Sequence, residues 1–251
     1  MNGADRPDAD APPFHEPAAP QADRWEDYID VFISPAELFR RRARGSLTHP
    51  MVTIALLSMV IYFVMLPLNS AMFEANTQSP DAQEFMEQWG GLFRLAGGLL
   101  VPVTVLLGIA FASAMLWIGT RLASIEVDFR DTLLIATYAA FIYLLQSVAA
   151  GLSVMLADPP LDQVRDLSFG VLRFTGGEGM NPLVIALLGR IDLFVLWQAL
   201  VWVIGLRVLG RTSTGRAVAA AAVAWLLTGI PRALLALLPQ PAATGTTTAL
   251  R

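Results

Sequence analysis

The sequence predicts an all-α, polytopic integral membrane protein with five transmembrane helices and a cytoplasmic N-terminus. Three observations lead there. Hydrophobic residues make up 55% of the 251-residue chain and charged residues only 15%, against roughly 45–50% and 25% in soluble domains. The charges gather between long uncharged runs, as when spans alternate with wet loops. The arginines are also unevenly placed, and lysine is absent.

Residues 1–22 are rich in Pro, Ala and Asp without apolar periodicity, and read as a disordered tail. They lack the basic n-region and apolar core of a signal peptide. Residues 23–48 read as a cytoplasmic amphipathic, juxtamembrane segment. Trp25, Tyr28, Ile29, Phe32 and Ile33 recur at helical spacing, opposite Glu26, Asp27 and Asp30. Ser34-Pro35-Ala36-Glu37 then has the form of a capping box. The helix it opens carries Arg40, Arg41, Arg42 and Arg44, candidate contacts for anionic lipid headgroups. The segment reads either as a helix that orients the first span or as an interfacial helix that binds anionic lipid or a cytoplasmic partner.

The membrane domain covers 49–238, with spans at about 51–68, 95–120, 133–157, 191–210 and 217–238. Pro67 and Asn69 are expected to end the first. Ser79-Pro80 predicts a short helix carrying Phe85, Met86 and Trp89 in the next loop. Gly97, Gly98, Pro102 and Gly108 equip span two for a kink or a close approach to a neighbour. Tyr138, Tyr143 and Gln146 in span three suggest interhelical hydrogen bonds. Between spans three and four, Leu161, Val164, Leu167, Val171 and Phe174 suggest a helix lying on the membrane surface. Residues 239–251 form a short polar tail.

Orientation follows from arginine placement. Arg40, Arg41, Arg42, Arg44, Arg121, Arg130, Arg207, Arg211 and Arg216 crowd one side, which predicts the cytoplasmic face of a cell (inner) membrane. Arg94, Arg165, Arg173, Arg190 and Arg251 are spread over longer loops on the other side.

The chemistry read from the sequence is mostly exclusion. The net charge of −4 and the dispersed basic residues argue against nucleic-acid binding. There is no cysteine, so disulfide and thiolate chemistry are excluded. His15-Glu16 lacks the second histidine of a zinc-protease helix, and there is no Gly-x-Ser-x-Gly turn. No catalytic residue, cofactor or metal is expected. Asp192 and Arg232 are the charges placed inside spans, equally far from Thr212 in the loop between spans four and five, which makes them a candidate intramembrane ion pair.

Asp30-Val31-Phe32-Ile33-Ser34-Pro35-Ala36-Glu37-Leu38-Phe39 resembles the F-x-S-P-x-x-x-F lead-in to the first span of bacterial members of the Yip family, the Ypt/Rab-interacting membrane proteins. Phe129-Arg130-Asp131-Thr132 with Ala136-Thr137-Tyr138-Ala139 resembles the family's turn into span three. Ile191-Asp192-Leu193-Phe194-Val195-Leu196-Trp197, Gly205-Leu206 and the stretch 213–217 resemble its closing hairpin. The resemblance implies a five-helix membrane domain with a cytoplasmic N-terminus. Eukaryotic relatives act in vesicle trafficking with small GTPases, but their Asp-Leu-Tyr-Gly-Pro motif is not found here.

The expected function is a non-enzymatic membrane scaffold or adaptor. The alternative is a small-molecule or lipid transporter or channel component that uses polar groups of spans four and five, near Asp192, Arg232 and Gln198. Expected partners are the bilayer and its anionic headgroups, with membrane-protein partners or a second copy of the chain also open.

Overall fold

The computed structural model describes residues 25–76, 80–157, 169–175 and 180–237. The two tails and most of the segment expected to hold a surface helix before span four lie outside them. The described residues form helices α1 (Asp27–Ile33), α2 (Pro35–Arg42), α3 (Thr48–Asn76), α4 (Pro80–Leu122), α5 (Phe129–Ala157), α6 (Leu172–Thr175), α7 (Pro182–Leu188), α8 (Leu193–Leu209) and α9 (Thr214–Leu237). No strand occurs among them. A single antiparallel bridge joins Gly170 to Asp192.

Four of these helices are long and apolar enough to cross a membrane, over Thr48–Leu68, Gln83–Leu122, Phe129–Leu156 and Thr214–Leu235. The fourth predicted span, 191–210, becomes the shorter apolar helix Leu193–Leu209. Asp192 is its N-cap rather than an intrahelical charge.

Two helices run further than the sequence signals suggest. The first candidate span covers Thr48–Leu68, and α3 continues through Pro67 to Asn76. Proline removes one backbone donor, a loss that membrane helices tolerate. The helix opened by Pro80 does not stop before span two: α4 is continuous for 43 residues with Pro102 inside it. At 1.5 Å per residue it is about 65 Å long, roughly twice the hydrocarbon thickness.

The core is the mutual contact of α4 and α5 with α3, α8 and α9. Small residues set its closest approaches. A Cβ on Gly119 of α4 would lie 2.3 Å from the carbonyl oxygen of Ala220 in α9. Opposite it, Ala217, Ala220, Ala221 and Ala224 form the buried stripe of α9. Without a strong hydrophobic drive between helices in lipid, such backbone proximity supplies the dispersion contact that holds them. Gly98 likewise admits the ring of Phe63, the close approach expected of span two.

One end of the bundle collects the arginine-rich loops. Arg130 donates to the carbonyls of Ala43 (3.2 Å) and Gly45. Gly210 lies against Ile125 and Val127. The turns after α2, α4 and α8 therefore meet there.

Candidate functional site

The N-terminal segment folds back on itself. Ser34 breaks the helix and Pro35 starts the next one, as its fixed φ and missing N–H favour. The Ser34 hydroxyl makes no cap hydrogen bond, so the capping box is realised only in its proline. Helices α1 and α2 then lie side by side, which brings their opposite charges together. Arg41 Nη2 is 2.5 Å from both Asp27 Oδ1 and Asp30 Oδ2, and its Nε is 3.0 Å from Asp27 Oδ1. The hydrogen bond to Asp30, with that to Asp27, raises the Arg41 pKa against the opposing effect of burial.

Arg42 goes deeper. The residue is 1% exposed. Its Nε lies 3.5 Å from Asp27 Oδ2 and donates to the Tyr138 hydroxyl of α5 at 3.2 Å. Its Nη2 donates to the Ser46 carbonyl at 3.4 Å. Gly45 leaves room for the guanidinium, which a Cβ there would approach to 3.1 Å. Leu38 and Phe39 bury the rest of this helix face, with the Phe39 ring edge-on to Tyr138.

Aromatic contacts carry the hairpin into the bundle. Tyr28 stacks obliquely on Phe141 at 5.1 Å and shares a hydrogen bond with Thr53 Oγ1 at 3.0 Å. Phe32 meets Trp197 edge-on at 5.7 Å. Phe141 and Trp197 each lie twelve residues, roughly 18 Å of helix axis, from the arginine-rich ends of α5 and α8. The segment packs as a wedge against α3, α5 and α8. Its apolar face is divided. Tyr28, Val31 and Phe32 pack inward, while Trp25, Ile29 and Ile33 are 69%, 46% and 71% exposed.

The four arginines therefore separate. Arg41 and Arg42 are held by carboxylates and Tyr138, whereas Arg40 and Arg44 are exposed. Tyr138 makes an interhelical hydrogen bond as expected, whereas Asp27 and Asp30 are partners that the helical periodicity does not single out. A signal was present. Asp27 and Arg41 are equidistant from Ser34, and Arg42 follows the buried Leu38 by one helical turn.

A second polar group sits toward the other end. Asp192 is 5% exposed. Its Oδ1 accepts from the Phe194 backbone N–H at 2.9 Å, capping α8, and from Gln146 Nε2 of α5 at 3.2 Å. Backbone bonds from Val171 to Ile191 (3.0 Å) and from Leu193 to Phe169 (3.3 Å) fasten this turn. Arg190, which its place two residues before Asp192 offers as an alternative partner for that carboxylate, reaches α9. Its guanidinium stands 4.8 Å over the Trp225 ring and donates to the Trp225 carbonyl and to Thr228 Oγ1 (2.9 Å). Position 232 follows Thr228 by one helical turn. The Arg232 side chain lies outside the described residues.

Among the described residues no group of histidines and carboxylates could hold a metal ion. What they form is a helical, multi-pass membrane domain with an N-terminal hairpin that is braced internally by ion pairs and fastened to the bundle by the Arg42–Tyr138 and Tyr28–Thr53 hydrogen bonds and by aromatic contacts. The Yip1 domain model matches residues 29–235, and the chain belongs to that family. Its members are generally non-enzymatic membrane proteins. No curated protein and no solved structure matches the chain.

Proposed function

We propose that the protein is a non-enzymatic membrane scaffold or adaptor, a bacterial-type member of its family in the inner membrane. It crosses five times, with the arginine-rich end and the N-terminus in the cytoplasm. The observation that carries the reading is the wedged hairpin. Ion pairs and aromatic contacts fix its inner face, so Trp25, Ile29, Ile33, Arg40 and Arg44 are presented outward on a rigid base. A preorganised surface loses little conformational entropy when it binds. Arg40 and Arg44 serve anionic headgroups, at about 1 kcal/mol each.

The fifth crossing is α8. Its 17 residues give about 25 Å, short of the ~30 Å hydrocarbon core by an amount that local thinning accommodates. Asp192 and Arg232 form a pair at the outer ends of α8 and α9. The contact Arg190 makes with α9 one turn from position 232 favours that register.

Crosslinking in native membranes, followed by identification of bound proteins and lipids, tests the reading. A stoichiometric protein partner is expected. Substrate-dependent flux in liposomes without such a partner would favour a small-molecule or lipid transporter or channel component instead.

A further inference from the structure

Two connected cavities open between the helices at mid-membrane depth. The larger, about 510 Å³, lies between α3, α4 and α5 and is lined by Ser58, Tyr62, Met65, Thr104, Tyr143 and Ser147 among others. The smaller, about 300 Å³, adds Gln198 of α8 and shares Thr104, Val105, Tyr143 and Leu144 with the first. Each has the size of a small-molecule site. Tyr143 stands at the midpoint of α5 and Ser58 near the midpoint of the first span. Tyr143 is 60% exposed, so the opening faces sideways, into lipid.

The smaller cavity is written into the sequence. Gly108 and Ala112 of α4 stand across it from Ala136 and Ala140 of α5. Small residues on facing helices ordinarily let backbones close up. Here they leave room: a Cβ on Gly108 would meet nothing within 4 Å.

The hydrogen-bonding inventory selects an occupant. Ser58, Thr104 and Ser147 donate to the carbonyls of Ile54, Val101 and Tyr143 in their own helices, and Tyr62 donates to that of Arg94. The Tyr143 hydroxyl and the Gln198 amide have no hydrogen-bond partner among the described residues. These are free donors at a depth where water is absent and unmet donors are costly. Among the described residues, no charged one lines either cavity. A phospholipid phosphate belongs at the interface, about 15 Å from the midplane. We infer that the cavities bind one uncharged lipid. Its hydrocarbon fills the larger space, and a carbonyl or hydroxyl oxygen accepts from Tyr143 and Gln198. The inference stands apart from the adaptor reading, because loss of a protein partner leaves lipid labelling unchanged.

The test uses the full chain in nanodiscs with two photoreactive, clickable probes, a diacylglycerol and a phosphatidylglycerol. The diacylglycerol should label peptides of α4 and α5 at least fivefold more than the charged probe. Gly108→Phe, which fills the smaller cavity, should remove that preference. Gln198→Leu preserves volume and should reduce the preference at least threefold, and it carries the test if Gly108→Phe does not fold. Equal labelling by both probes, or a preference unchanged in Gln198→Leu, would overturn the inference.

Discussion

Arg42 and Asp27 meet at 3.5 Å with both side chains 2% exposed, at the junction of the N-terminal hairpin and α5. Desolvation offsets much of the attraction in such a pair, but removing one partner strands a buried charge at about 3–5 kcal/mol. Arg42→Ala should therefore destabilise the protein in detergent, by less than that amount because Asp27 keeps Arg41 as a partner, read by thermal or denaturant unfolding. Arg42→Met combined with Asp27→Leu should recover most of the loss. An unchanged midpoint in Arg42→Ala would mean that the guanidinium is not buried.

The arginine-rich end is assigned to the cytoplasm. In this cysteine-free chain, Ser46→Cys and Thr214→Cys should be shielded from an impermeant thiol reagent applied to intact cells. Thr77→Cys and Thr246→Cys should react. Labelling at Ser46 without labelling at Thr246 would invert the topology.

Gly119 faces the Ala220 carbonyl so closely that any side chain separates α4 from α9. Gly119→Leu should cost at least the 1–3 kcal/mol typical of overpacking. Gly108→Ala, in open space, should cost little. Equal losses at the two positions would contradict the packing described.

Asp192→Asn and Arg232→Gln test the outer pair through a double-mutant cycle. The proposal expects coupling above about 0.5 kcal/mol. Additive losses would leave Asp192 supported by Gln146 and the α8 cap alone.

The membrane class was legible because hydrocarbon imposes a crude rule, some 18 or more apolar residues without charge. Three of the four longer candidate spans obey it; the last, Thr214–Leu235, has only the 15 uncharged residues 217–231 between Arg216 and Arg232 and qualifies on mean hydropathy. Helix ends were less legible. Pro67 and the stretch before Leu95 carry stop and loop signals, yet α3 and α4 run on through them. Asp192 looked like a charge within a span because apolar residues flank it, although an aspartate before an apolar run is also an N-cap signal. The hairpin was hidden for a different reason. Periodicity gave α1 one apolar face, but burial divides it between Tyr28 and Phe32 inside and Ile29 and Ile33 outside. Only the tertiary partners Phe141, Trp197 and Tyr138 decide that division.

The hairpin's outer face is proposed above as a docking surface on a fixed base. The most direct measurement places a photo-crosslinking amino acid at Ile33, which is exposed, and separately at Leu38, which is fully buried, in native membranes. The account predicts a discrete protein adduct from Ile33 and only intramolecular products, to α5 or α8, from Leu38. Lipid adducts alone from Ile33, or intermolecular adducts from Leu38, would contradict it.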